Sequence, residues 1–70
     1  MIVGLKQSKK AVEAGEASCA YVAHDADSDV VTPFLVLCQQ MNVTVERSCD
    51  MKELGKLCKV EVPTAVAIIR

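Results

Sequence analysis

Four cysteines, one histidine and nine carboxylates are the residues of this 70-residue chain whose types admit metal, redox or nucleophilic chemistry. Zinc sites and dithiol pairs bring cysteines within two residues of each other or set them close to histidine. Cys19, Cys38, Cys49 and Cys58 contain no such pair, and His24 lies outside ligand spacing of all four. Spacing of this kind reads as cysteine used as a small apolar residue in a reducing compartment. Asp25, Asp27 and Asp29 alternate as in a calcium loop. The glycine and closing glutamate of that pattern are absent, so the acids read as a solvated turn with a helix cap. No serine or cysteine has a base and an orienting carboxylate beyond the same cluster. No enzymatic activity, metal or cofactor is expected.

The segment Gly4-Leu5-Lys6-Gln7-Ser8-Lys9-Lys10 offers a different chemistry. Glycine allows close backbone approach, a helix begins directly afterward, and three lysines fall in or beside its first two turns. Free N–H groups at a helix start attract phosphate, and Lys and Gln side chains reach guanine or adenine edges. Lysines on an exposed helix are usually a solvated face, so the pattern alone does not establish RNA binding. Val60-Glu61-Val62-Pro63 is the second such segment. Valines in a loop either plug the core or offer a surface on which unstacked bases rest, and composition does not choose. Lys52, one of the lysines that return after Arg47, completes the candidate set.

The net charge of −1 conceals a segregation. Residues 1–10 hold Lys6, Lys9 and Lys10 without an acid, and residues 11–38 hold Glu13, Glu16, Asp25, Asp27 and Asp29 without a base. From Arg47 onward Lys52, Lys56 and Lys59 interleave with Asp50, Glu53 and Glu61. Such a distribution predicts one basic and one acidic face; it excludes a nonspecific DNA coat and leaves room for a compact phosphate site. With Tyr21 and Phe34 as the only aromatics, a stacking platform for single strands is ruled out.

The elements that must position these residues follow from hydrophobic periodicity. A hydrophobic fraction of 51% argues against disorder, and the core must come from Val, Leu, Ile and Ala. No apolar run reaches the roughly 18 residues of a membrane span, and the N-terminus is too short for a signal peptide, so a soluble, cytoplasmic monomer is expected. Ile2-Val3 reads as a strand ended by Gly4, and residues 7–14 as a helix stopped by Gly15. Residues 19–23 form a strand before the acidic turn 24–29. Asp29 is then the expected N-cap of a helix running to about Asn42, with Pro33 in or just past its first turn. Residues 43–47 read as a strand, 50–58 as a short amphipathic helix, 59–63 as a loop and 65–69 as a closing apolar strand. This β-α-β-α-β-α-β order predicts a single domain over residues 1–70, an α/β fold with a three-layer α/β/α sandwich around a four-stranded mixed sheet.

Residues 3–12, Asp25-Ala26-Asp27, Leu37-Cys38, Leu54-Gly55-Lys56 and Val60-Glu61-Val62-Pro63 before Ala67-Ile68-Ile69 together resemble the ribosomal L7Ae/L30e family. The resemblance covers essentially the whole chain, in order and at the family's spacing. It is strongest to the small bacterial members, which carry Lys-Gln where archaeal and eukaryotic members commonly have Asn-Glu. It implies a non-enzymatic protein that binds kink-turn RNA, a sharply bent internal loop with tandem sheared G·A pairs, in ribosomal or regulatory RNA. By position, Gly4, Lys6, Gln7 and Lys10 would lie in the groove at those pairs, and Val60-Glu61-Val62 would cover nucleotides flipped out at the bend. Two departures stand out. Members usually have a helix before the first strand, whereas this chain begins at the strand, which implies a fragment or a thinner layer. Leu5 stands where many relatives have Thr or Ser, removing a potential N-cap. From other classes, the alternatives are a protein-interaction module using the Val60 to Val62 loop and a thiol-based redox or metal protein.

Overall fold

The computed structural model describes residues 1–70. Its sheet has the order β1-β4-β2-β3, with β1 at Ile2–Val3, β2 at Cys19–Val22, β3 at Thr44–Glu46 and β4 at Val66–Ile69. The most apolar strand, β4, lies inside the sheet, antiparallel to both β1 and β2, while β2 and β3 run parallel. The register sets Ala20 opposite Ile68 and Val22 opposite Val66. Because successive strand residues face opposite sides, these four share one face, and Tyr21 and Ala67 share the other.

Helices α1 (Leu5–Glu13) and α2 (Ser28–Gln40) cover the first face, where Ala11, Val12, Val31, Phe34 and Cys38 meet the strand residues in the main core. Helix α3 (Met51–Leu57) covers the second through Leu54, which packs with Ala23 and Ala67. The expected α/β/α sandwich with a four-stranded mixed sheet is therefore present, one outer layer being a single seven-residue helix. A helix that short does not hold by itself, since isolated helices below about 12 residues are marginal in water.

Three local expectations are corrected. The N-cap of α2 is Asp27, not Asp29: the Asp27 carboxylate accepts the Asp29 N–H at 2.9 Å, and the helix starts at Ser28. That earlier start puts Pro33 in the helix interior, where its missing N–H forfeits the bond to the Asp29 carbonyl. Helix α1 starts at Leu5, two residues before Gln7, because Gly4 makes the turn out of β1.

All three helices end alike. Beyond each cap, two backbone N–H groups reach back to the last turn: Gly15 to Val12 and Glu16 to Ala11, Asn42 to Gln39 and Val43 to Cys38, Lys59 to Lys56 and Val60 to Gly55. This Schellman closure requires the first residue past the cap to be left-handed, and φ is 73° at Gly15, 57° at Asn42 and 59° at Lys59.

Candidate nucleic-acid interface

Gly4 adopts φ 98° and ψ 151°, a region only glycine occupies without strain. Its N–H donates to the Val66 carbonyl at 3.1 Å, and the Ala23 N–H donates to the Ala65 carbonyl at 2.8 Å. The start of α1 is thereby bonded to the chain that leaves the Val60-to-Pro63 loop. Gly4 supplies no side-chain cap and the first turn of α1 carries no acid, so the opening N–H groups of the helix stay free for an anion.

With Ser8, Ala11 and Val12 buried, the helical period places Lys6 and Lys10 together on the exposed face, with Gln7 and Lys9 on opposite flanks. Lys9 lines a shallow groove of about 300 Å³ with Leu5, Asp29, Val30, Pro33 and Phe34. It therefore stands beside a carboxylate of the acidic segment, apart from Gln7, and the clean division into basic and acidic faces expected from the sequence does not hold at this point.

A second groove, of about 520 Å³, lies between α3 and the loop and is lined by Lys52, Lys56, Val60, Glu61, Val62 and Pro63. The four candidate residues Lys52, Val60, Glu61 and Val62 thus share one surface. The loop is held against the helix by close backbone approach: a Cβ on Gly55 would lie 2.5 Å from the Val62 carbonyl oxygen. The Thr64 N–H donates to the Met51 carbonyl at 3.0 Å, and Thr64 Oγ1 donates to the Val62 carbonyl at 3.5 Å. With its carbonyl turned toward Gly55, Val62 is 65% exposed, while Val60 is half-buried. For Val62 the choice between core plug and open apolar surface falls to the open surface.

The start of α3 is held by three carboxylates. Asp50 accepts the Glu53 N–H at 2.7 Å and Glu53 accepts the Asp50 N–H at 3.4 Å, a capping box. Asp25, from the acidic turn, accepts the Met51 N–H at 2.8 Å. The Glu53 N–H, aided by further hydrogen bonds and by His24, holds the Asp50 carboxyl below the usual carboxylate range. Sequence reasoning missed Asp25, Gly55 and Lys56 in these roles. Lys56 was within reach of it, lying four residues after Lys52 on the same helix face; the other two depend on what the fold sets opposite them.

The one ion pair joins Arg70 to Glu16 at 3.6 Å on the surface, and no lysine of either groove forms a direct ion pair. All four cysteines are free. Cys38 lies in the main core, Cys49 and Cys58 pack against the second cluster, and burial pushes the Cys38 and Cys58 thiols up, away from the reactive thiolate. No three His, Cys, Asp or Glu side chains converge on a point that could hold a metal ion.

Fold and site together define a small α/β/α protein with a cationic helix start and a partly apolar loop at one end of a mixed sheet. The model of the ribosomal protein L7Ae/L30e/S12e/Gadd45 family matches residues 1–70, and the chain belongs to that family. It is 41% identical over 70 residues to an RNA-binding protein of Geobacillus sp. (strain WCH70), covering 99% of this chain and 85% of that one. It is 39% identical over 71 residues to the RNA-binding protein YbxF of Geobacillus stearothermophilus, covering 100% and 87%. Among solved structures, a Giardia lamblia 15.5kD RNA binding protein superposes with a TM-score of 0.87 at 32% identity. That match covers 96% of this chain, which spans only 57% of the Giardia chain.

Proposed function

We propose that this protein is a non-enzymatic RNA-binding protein that recognises kink-turn RNA and holds it in its bent form, acting as a cytoplasmic monomer on ribosomal or regulatory RNA. The observation that carries the reading is the Gly4 N–H bond to the Val66 carbonyl, which brings the start of α1 to the end of the sheet where the chain leaves the Val60-to-Pro63 loop, more than fifty residues away in sequence. RNA-binding relatives at about 40% identity and the family membership support the class of partner.

In this reading the free N–H groups of α1 and the ammonium groups of Lys6 and Lys10 meet phosphates, with Gln7 and Lys6 within reach of guanine edges at the G·A pairs. Val62, held rigid with its side chain outward, covers bases flipped out at the bend, and Val60 and Glu61 frame them. A sharp bend crowds phosphates together, so a protein that binds only the bent form draws the population toward it. Lacking an aromatic platform, the surface reads a folded shape. The test is titration with a kink-turn RNA and with the same RNA whose G·A pairs are replaced. At least tenfold tighter binding to the first is expected; equal affinity for the two defeats the proposal.

A further inference from the structure

The Schellman closure shared by the three helices places Gly15, Asn42 and Lys59 in equivalent left-handed positions. Glycine has no Cβ to clash there, and asparagine tolerates the conformation through its short polar side chain. Lysine has neither advantage. A glycine at this position would close α3 with the same two hydrogen bonds and no strain. Strained residues of this kind persist where something other than local backbone geometry depends on them.

The surroundings of Lys59 indicate what that is. It immediately precedes Val60, the first residue of the loop, and its backbone closure determines the direction in which that loop leaves the helix. Lys52 and Lys56 already line the groove between α3 and the loop, and Lys59, one residue past the Cys58 cap, links that helix to Val60, which lines the same groove. Its side chain is exposed and forms no ion pair. We infer that Lys59 is an RNA-backbone contact: its ammonium adds a charge at the point where the loop leaves α3 and binds a phosphate there, and the strained conformation is kept for that charge. The inference rests on the RNA-binding reading above.

A lysine serving only the helix terminus, where a cation meets the negative end of the dipole, would affect stability alone. The experiment therefore measures melting temperature, affinity and the salt dependence of affinity for the wild type, Lys59→Gly and Lys59→Arg, on a kink-turn RNA and its G·A-replaced counterpart. Lys59→Gly is expected to melt about 4 °C higher or more, because the strain is relieved. It should bind the kink-turn RNA about three- to tenfold more weakly at roughly 0.15 M salt, with the salt slope reduced by about 0.7–0.9. Lys59→Arg should restore affinity and slope without the gain in melting temperature. Unchanged affinity and slope in Lys59→Gly, or no recovery in Lys59→Arg, overturns the inference while leaving kink-turn recognition standing. If the wild type binds both RNAs equally and Lys59→Gly still loses slope, the phosphate contact stands and kink-turn recognition falls. Absence of RNA binding by the wild type overturns both.

Discussion

Helix α1 carries Lys6 and Lys10 on nine residues whose inner side, Ser8, Ala11 and Val12, is sealed into the molecule. Helix α3 carries Lys52 and Lys56 on seven residues, of which Leu54 and Gly55 are buried, and its start is tied down by Asp25 from the other side of the chain. The first half of the candidate interface is secured by packing and presents charge. The second is secured by caps, by the Thr64–Met51 backbone hydrogen bond and by the close approach across Gly55, and it adds an exposed apolar side chain, Val62, to its charge. Electrostatic attraction tolerates a displacement of an ångström, because it falls off slowly with distance. An apolar surface matched to splayed bases does not, because contact attraction is lost within a gap of that size. The two halves should therefore respond differently to substitution.

The largest effect is expected at Gly55. An alanine in an open helix interior would add about 0.5–1 kcal/mol of stability. Here its Cβ would collide with the Val62 carbonyl, so Gly55→Ala should instead lose about 1–3 kcal/mol and displace the loop, with RNA affinity falling about tenfold. The sign of the change in a thermal melt decides whether the loop is clamped as described. Next comes a direct contrast between the halves. Lys10→Ala should weaken RNA binding severalfold and lower its salt slope by up to about one unit, whereas Val62→Ala should weaken it with the slope unchanged. Titrations at several salt concentrations read both; equal slopes in the two variants would erase the division into charge and shape.

The smallest effect concerns the cap of α3. Asp50 is held below the ordinary carboxylate range by the Glu53 N–H, so the folded state favours its charged form. Its capping contribution is present above the unfolded titration near about pH 4 and is lost as the pH falls below that value. Asp50→Asn keeps an acceptor that does not titrate. The melting-temperature difference between wild type and variant should therefore shrink or reverse below about pH 4, and a difference independent of pH would show that Asp50 does not act through its charge.

Much of the fold was legible because its signals are local. Gly4 and Gly15 bracket α1, the β-branched run Val43-Thr44-Val45 marks β3, and the spacing of Val31, Phe34 and Cys38 gives α2 its inner side. The errors were local too. Asp27 and Asp29 can each cap a helix in principle, and which one does so depends on where Val31 must sit to reach the core, which then decides how deep Pro33 lies. The candidate interface was legible as two segments, Gly4 to Lys10 and Val60 to Pro63, but not that both stand at the same end of the sheet.

Composition and periodicity by themselves determined the order of seven elements, the sandwich they form and the two segments where phosphate or base chemistry could reside. Each of these follows from side-chain preferences over a few neighbouring residues. Only the tertiary structure decided that Val62 faces outward, that Lys9 stands beside Asp29, that Asp25 caps a helix 26 residues away and that Gly55 cannot bear a side chain. Those outcomes turn on which backbone groups from distant parts of the chain come within hydrogen-bonding or van der Waals range, and no local pattern of residues carries that information.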